Sequence, residues 1–213
     1  MAEKRESDYN KMGMGSANLY VVYPMFGLVF SVPGIIGACS SLFWASNPST
    51  RAKVSTLANN SMGPLYISLF FYRMFQTMIN ANLGTARRAC AINVPDQQVY
   101  KVVGGAADQS LVLMDDEHAL FGPFNRAQRA LQNLNENLPL LMADFLLTGF
   151  VFPWSTSLCA AFNGLFRYIG AVGYTRDRNE RTKGNMTAGL FLGAIQGMSM
   201  TIGAYATYLE LKA

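Results

Sequence analysis

The chain has 213 residues, of which 51% are hydrophobic and only 14% are charged, with a formal net charge of +4. A soluble domain carries about 25% charged residues, so this composition favours a protein with little water-facing surface. Basic residues lie in the gaps between apolar segments rather than in one stripe, so we do not expect a nucleic-acid partner. The single histidine, His118, argues against a His-rich metal site, and three isolated cysteines argue against a disulfide framework.

Residues 1–18 form a polar N-terminal tail that contains Glu3, Glu6 and Asp8. This composition is typical neither of a secretory signal, which is basic and then apolar, nor of an Arg-rich transit peptide. A cleaved presequence ahead of this sequence stays an open alternative.

Five apolar segments follow the tail, and each is long enough to cross a bilayer, which needs roughly 20 apolar residues. They are residues 19–44, 62–83, 127–152, 154–174 and 186–209. The first carries no charge, although prolines interrupt it, and the second carries only Arg73. The first half of the third segment is polar, and a polar helix half at membrane depth must face protein or a water-filled cavity. We therefore expect a site at that half.

The connections between these segments differ in charge. With five spans, the tail lies on the same membrane face as residues 84–125 and 175–185. That face carries the basic residues Lys4, Arg5, Lys11, Arg87, Arg88, Lys101, Arg126, Arg176, Arg178, Arg181 and Lys183. The other face carries Arg51, Lys53 and Lys212. The positive-inside rule assigns the first face to the cytoplasm or the equivalent compartment of an organelle. We expect a multi-pass integral membrane protein of the endoplasmic reticulum, or of a mitochondrial or plastid membrane.

The most informative stretch is residues 124–139, with the sequence FNRAQRALQNLNENLP. It resembles the second-helix signature of the MAPEG superfamily, which is approximately F-N-x-x-Q-R-A-H-Q-N-x-x-E-x-x-P. Residues 167–174, followed by Arg181, resemble the R-x-x-Y-x-x-G-Y element of that superfamily and its downstream arginine. Residues 86–89 resemble the basic end of its first helix.

This resemblance covers the chain from residue 62 onward and points to the branch of microsomal glutathione transferases and leukotriene C synthase. It implies an all-α integral membrane fold with a MAPEG-type four-helix bundle at residues 62–213. We expect one additional N-terminal transmembrane helix and its linker at residues 19–61. This helix is either a membrane anchor or a docking helix for another membrane protein. The resemblance also implies glutathione as co-substrate, no metal, contact with membrane lipids, and a homotrimer with sites between subunits.

Glutathione has two carboxylates, one ammonium group and a thiol, so its receptor needs charges of both signs. Arg129, Asn133 and Glu136 are spaced four and three residues apart and therefore share one helix face. That face offers a guanidinium for a carboxylate, an amide, and a carboxylate for the ammonium group. The resemblance implies that these three residues contact glutathione, and a polar network between helices without ligand is the alternative.

The resemblance assigns further roles to residues at the helix ends. It implies that Arg87, Arg88 and Tyr174 contribute to glutathione binding. It also implies that Arg181 activates the thiol, because a nearby cation lowers the thiol pKa. The alternates for this catalytic role are Arg178, Lys183 and Arg88. Positive-inside charge, lipid head-group contact and interfacial anchoring are the structural alternatives for the same residues.

Three positions, Leu131, Asn137 and Gly170, depart from the superfamily pattern. Many relatives have a polar residue at the first, the leukotriene branch has an aromatic at the second, and a tyrosine is expected at the third. Two hypotheses of function follow. One is an enzyme that conjugates glutathione to lipophilic electrophiles or reduces lipid hydroperoxides. The other is a non-catalytic accessory or structural subunit of a larger membrane complex.

Arg73 and Asp144 are charges in the middle of predicted spans. A charge that faces lipid is costly. We therefore expect each to pair with the other, or with a polar group of a neighbouring subunit, in a structural role.

Overall fold

The computed structural model of the chain describes residues 6–45, 47–104 and 111–212. Its helices are α1 Asp8–Lys11, α2 Leu19–Cys39, α3 Pro48–Asn59, α4 Gly63–Cys90, α5 Phe121–Val151, α6 Pro153–Arg176 and α7 Arg181–Glu210. Ser40–Trp44 continues α2 as a π-helix, and Arg178–Glu180 forms a 3-10 turn before α7. The strands β1 Tyr100–Val103 and β2 Leu111–Met114 pair as an antiparallel hairpin between α4 and α5.

The helices α4 to α7 share one hydrophobic core. Ile79 of α4, Phe145 of α5 and Ile195 of α7 meet there with buried alanines of α6. On α5 the buried residues Leu141, Phe145 and Thr148 recur four and three residues apart, which gives one buried face along the helix. The same spacing leaves the opposite face of α5 outside this core.

The helix α2 contacts the rest of the chain through its N-terminal part. Leu19 is buried, and the Tyr20 hydroxyl donates to Asn82 Oδ1 of α4 at 2.9 Å. Further along α2, apolar side chains such as Phe30, which is 79% exposed, point away from the other described helices. By length and hydropathy, Leu19–Trp44 is the one helix among the described residues that qualifies as a membrane span.

The other four predicted spans correspond to α4, α5, α6 and α7, which are long but fall short of the same hydropathy test. Their polar residues lower the mean hydropathy. The five-span topology therefore stays a prediction.

Several helices extend beyond the predicted membrane spans. The helix α4 continues to Cys90 rather than ending near residue 83, and α5 begins at Phe121 rather than near residue 127. Most of the predicted basic loop at residues 175–185 is also helical, since α7 begins at Arg181. Basic side chains at the end of α4 interact favourably with the helix dipole, and Ala91 ends that helix in a left-handed conformation with a φ of 51°.

The chain is mostly helical, as predicted, but two of the predicted linkers contain short elements that were not expected. The connection between α4 and α5 contains the β1–β2 hairpin, and the linker at residues 45–61 contains α3. The side chain of Asn47 caps α3 by accepting from the backbone N–H groups of Ser49 and Thr50.

The tail, the α4–α5 connection and the end of α6 lie at the same end of the bundle, as the charge pattern predicts. The backbone N–H of Asp8 donates to Asn93 Oδ1 at 2.9 Å, which joins the tail to the α4–α5 connection. Asn82 Nδ2 donates to Thr175 Oγ1 at 2.7 Å, which joins α4 to the end of α6. Lys4 and Arg5, which belong to the same predicted charge cluster, lie outside the described residues.

Arg73 and Asp144 do not pair with each other within one chain. The ion pairs among the described residues include neither side chain. Arg73 is exposed and lines a groove between α2 and α4, whereas Asp144 is half-buried on α5. The expectation of a pair inside the chain was wrong, and the alternative of a partner in another subunit stays a prediction.

Candidate functional site

Asn125, the second residue of the FN motif, holds the hairpin against the start of α5. Its buried side-chain oxygen accepts from the backbone N–H of Val99 at 2.8 Å. Its amide nitrogen donates to the carbonyls of Val99 and Asp115 at 2.8 Å and 2.9 Å. Val99 precedes β1 and Asp115 follows β2, so one side chain joins the two strands at the base of the hairpin. This asparagine therefore has a structural role.

Arg126, the next residue, caps the C-terminal end of α6. It is only 8% exposed, and its Nε donates to the carbonyl of Tyr174 at 2.9 Å. Its Nη2 donates to the carbonyl of Thr175 at 3.1 Å, and its Nη1 donates to the carbonyl of Asp116. The last carbonyls of a helix have no partner within the helix. Arg126 thus satisfies carbonyls of α6 from the neighbouring helix α5.

Arg87 and Arg88, at the end of α4, bind backbone carbonyls and a side-chain amide. Arg87 is buried, donates to the Asp96 carbonyl at 2.6 Å and to Gln128 Oε1 at 3.2 Å, and lies over the Phe124 ring. Arg88 donates to carbonyls of the N-terminal tail, of which that of Ala17 lies at 2.6 Å. These contacts tie the α4–α5 connection and the tail to α4. Neither arginine lines the cavity between α5, α6 and α7.

The second half of the motif lies on an exposed face of α5. Arg129 Nη1 lies 3.3 Å from Glu136 Oε1, and both side chains are accessible to solvent. Asn133 lies between them along the helix and is half-buried. The three residues therefore share one face, as the spacing predicts. An exposed ion pair of this kind is worth less than about 1 kcal/mol, so a ligand with opposite charges can replace it.

A cavity of about 440 Å³ opens beside Asn133, between α5, α6 and the start of α7. This volume falls within the range of about 300 to 1,000 Å³ that is typical of small-molecule sites. The side chains around it are mostly polar, and two of them are guanidinium groups. The lining residues are Asn133, Asn137, Arg167, Arg181, Thr182, Asn185 and Met186.

Arg167 is a charged cavity residue that was not selected from the sequence. It is half-buried on α6, and among the described residues no carboxylate lies within ion-pair distance of it. Its signal was present, because it is the first residue of the R-x-x-Y-like element. That element was interpreted through Gly170 and Tyr174.

Tyr174 and Arg181 meet at the inner edge of the cavity. The Arg181 guanidinium carbon lies 5.6 Å from the centre of the Tyr174 ring, a cation–π arrangement. Tyr174 is buried and, with Asn133, Arg167 and Asn185, lines a smaller space next to the cavity. Arg181 is also the first residue of α7, and a helix N-terminus adds partial positive charge. This corner therefore favours an anion.

Helix packing in this structure explains why a glycine occupies position 170. A Cβ atom at Gly170 would lie 3.1 Å from both the backbone nitrogen and Oδ1 of Asn185. A Cβ atom at Gly184 would lie 2.5 Å from the Cα of Gly170. The backbones of α6 and α7 thus touch at this crossing. A tyrosine at position 170 would force the two helices apart. The glycine therefore permits the close contact between α6 and α7.

The other alternates for the catalytic role have partners outside the cavity. Arg178 Nη1 lies 3.8 Å from Asp116 Oδ2. Lys183 donates to Glu180 Oε1 at 2.7 Å, and this hydrogen bond raises the pKa of the Lys183 ammonium group. Within the described ranges, no group of three or more His, Cys, Asp or Glu side chains could hold a metal ion.

Comparison with known protein families gives a match. The family model described as the MAPEG family matches residues 67–203, which is more than half of the chain. The matched stretch begins within α4 and ends within α7, so it contains the whole cavity and excludes α2 and α3. No curated protein matches the chain.

Proposed function

Because this chain belongs to the MAPEG family, we propose that it binds glutathione in the cavity between α5, α6 and α7. The family groups membrane proteins that use glutathione. The observation that carries the proposal is the convergence of two guanidinium groups, Arg167 and Arg181, on one polar cavity beside Asn133.

The charges around the cavity match those of the tripeptide. Arg167 and Arg129 are the proposed partners of its two carboxylates, and Glu136 is the proposed partner of its ammonium group. Binding then exchanges the exposed Arg129–Glu136 pair for two pairs with the ligand. Asn133 and Asn185 offer amides to the peptide backbone of glutathione.

Arg181 is the proposed stabiliser of the glutathione thiolate. A thiolate is the reactive nucleophile, and a nearby cation lowers the thiol pKa from about 8.5. The thiolate sulfur attacks an electrophilic carbon of a lipophilic substrate, a carbon–sulfur bond forms, and the leaving group departs with the bonding electron pair. With a lipid hydroperoxide, two glutathione molecules form a disulfide, and the hydroperoxide becomes an alcohol and water.

The organisation of the chain is part of the same proposal. Residues 62–213 form the glutathione-binding membrane bundle, residues 19–61 add a transmembrane helix with its linker, and residues 1–18 form a tail on the basic face. Contacts with lipids and assembly as a homotrimer are proposed, since proteins of this family are commonly trimeric. The membrane is that of the endoplasmic reticulum, a mitochondrion or a plastid.

Substitution of Arg181 tests the proposed mechanism. Arg181→Ala is expected to abolish the ultraviolet absorbance of bound glutathione thiolate, because the cation beside the sulfur is lost. Most of the binding should remain, since the carboxylate partners are unchanged. Absorbance at fixed pH, measured while glutathione is titrated into the purified protein in detergent, gives both quantities.

Lys183→Ala is the matched control for this experiment. Lys183 lies two residues from Arg181, but its ammonium group is exposed and bound to Glu180. The control variant should keep both the binding and the thiolate signal. A loss of thiolate in the Lys183 variant, or in Arg178→Ala, with none in Arg181→Ala would contradict the assignment of Arg181.

A second candidate function is a non-catalytic accessory subunit of a larger membrane complex. Two exposed apolar surfaces favour it: the outer part of α2 and the hairpin, where Val102 and Val112 are 69% and 64% exposed. A two-stranded hairpin is marginally stable on its own, so a partner that covers it is expected under this hypothesis. Glutathione that fails to bind to a protein purified with other subunits would favour this function.

A further inference from the structure

Arg73 on α4 and Asp144 on α5 are opposite charges within predicted spans, and each lacks an ion-pair partner among the described residues. Charged groups at membrane depth pair with one another or face a water-filled cavity, because an unpaired charge against lipid is costly. Each charge therefore needs a partner that this chain alone does not supply.

Arg73 lies in a groove between α2 and α4. The groove has a volume of about 560 Å³, and Phe30 and Leu28 of α2 form one wall while Phe70 and Thr77 of α4 form the other. The groove exists because the N-terminal end of α2 packs on α4, whereas the rest of α2 leaves the bundle. The groove is largely apolar, with one guanidinium at its side.

Asp144 lies on an outer face of α5 that is also apolar. Leu140 and Leu147, four residues before and three residues after it, are 66% and 65% exposed. Residues at these spacings share one helix face. This face presents two exposed leucines with one carboxylate between them, and the groove has the complementary charge.

The two charges also lie at nearly the same depth. Leu65 of α4 and Gly149 of α5 touch, since a Cβ atom at Gly149 would lie 2.6 Å from Leu65 Cδ2. From that level Arg73 is eight residues along α4, and Asp144 is five residues back along α5. At about 1.5 Å per residue, they lie about 12 Å and about 7.5 Å from it. An arginine side chain spans this difference.

We propose that α5 of a second copy of this chain lies in the groove between α2 and α4, with its Asp144 paired to Arg73. The second copy has the same orientation in the membrane, so the depth match holds between copies. Each copy uses two different surfaces, which makes the contact heterologous, and repetition of such a contact closes a ring when the rotation allows it. The role of α2 is then to form one wall of this interface, and the proposal does not depend on glutathione binding.

Charge reversal tests the pair. Arg73→Asp and Asp144→Arg should each convert the detergent-purified oligomer into monomer, because like charges then meet at membrane depth. The double variant should recover the oligomer, since the pair is restored with its signs exchanged. Native mass spectrometry gives the number of chains. A double variant no better assembled than the single variants, or single variants that stay oligomeric, would overturn the proposal.

Disulfide cross-linking tests the same interface with both charges intact. Phe70 and Leu147 each lie one turn from the charges, toward the same membrane face. In a chain with Cys39, Cys90 and Cys159 changed to alanine, Phe70→Cys with Leu147→Cys should give covalent dimers and higher species under oxidation. The matched control, Phe70→Cys with Leu146→Cys, has an equally exposed leucine on another face of α5 and should give far less. Equal cross-linking of the two pairs, or none in either, would contradict the proposed contact.

Discussion

Gly184→Ala is expected to lower the free energy of unfolding by roughly 3 kcal/mol, at the upper end of the usual cost of overpacking. The new Cβ atom would lie 2.5 Å from the Cα of Gly170 and 2.8 Å from the carbonyl oxygen of Phe166. Both atoms belong to the backbone of α6, so no side chain can move aside. The helices must separate, and Asn185 moves with α7. We therefore also expect weaker glutathione binding, and thermal unfolding in detergent with a parallel titration measures both effects.

Gly189→Ala is the control in the same helix. A Cβ atom at Gly189 meets no atom within 4 Å. Glycine in a helix interior is less favourable than alanine by roughly 0.5–1 kcal/mol, so this variant should be neutral or slightly more stable. If both glycine variants unfold at the wild-type temperature, the close crossing of α6 and α7 is wrong.

Arg126→Ala is expected to destabilise the protein by at least about 3 kcal/mol. It removes hydrogen bonds from one buried guanidinium to the carbonyls of Tyr174, Thr175 and Asp116. A hydrogen bond to a charged group contributes about 1.5–3 kcal/mol. The loss frees the end of α6 and, with it, Tyr174 at the edge of the cavity. The melting temperature in detergent measures the destabilisation.

Arg178→Ala is the control at the same end of the bundle. Its guanidinium is exposed and lies 3.8 Å from Asp116 Oδ2, a surface pair worth less than about 1 kcal/mol. A melting temperature for Arg126→Ala as high as that of Arg178→Ala would show that the carbonyls of α6 do not need this cap.

The long helices could be predicted from the sequence because runs of apolar residues mark them. Their ends could not, since Arg181 was interpreted as part of a basic loop although it is the first residue of α7. The helix dipole favours a cation at a C-terminus but not at an N-terminus, so the position of Arg181 depends on contacts with other segments. Such contacts depend on which segments come together, and a local pattern does not contain that information.

The candidate site was predicted in part. The spacing of Arg129, Asn133 and Glu136 defines one helix face whatever surrounds it, so that face could be identified from α5 alone. Arg167 was missed because its position in the cavity depends on how α6 meets α5 and α7. The motif also contains two kinds of role, since Asn125 and Arg126 stabilise neighbouring segments while Asn133 and Asn137 line the cavity.

Gly170 is a second residue whose role could not be predicted from the sequence. In the sequence it was the absence of an expected tyrosine, and in the structure it is a contact point between two backbones. Only the position of Gly184 on the neighbouring helix explains it. The distance between two helices is a tertiary property, which the sequence of either helix does not reveal.

Calorimetric titration of glutathione into purified wild type and Arg167→Ala tests whether the cavity between α5, α6 and α7 binds glutathione. Saturable binding by the wild type is expected. Arg167→Ala should weaken the binding roughly tenfold to a hundredfold, because one charge-assisted hydrogen bond of about 1.5–3 kcal/mol is lost. Arg178→Ala, whose arginine lies outside the cavity, should bind as the wild type does. No binding by the wild type, or equal affinities for wild type and Arg167→Ala, would contradict a glutathione site between α5, α6 and α7.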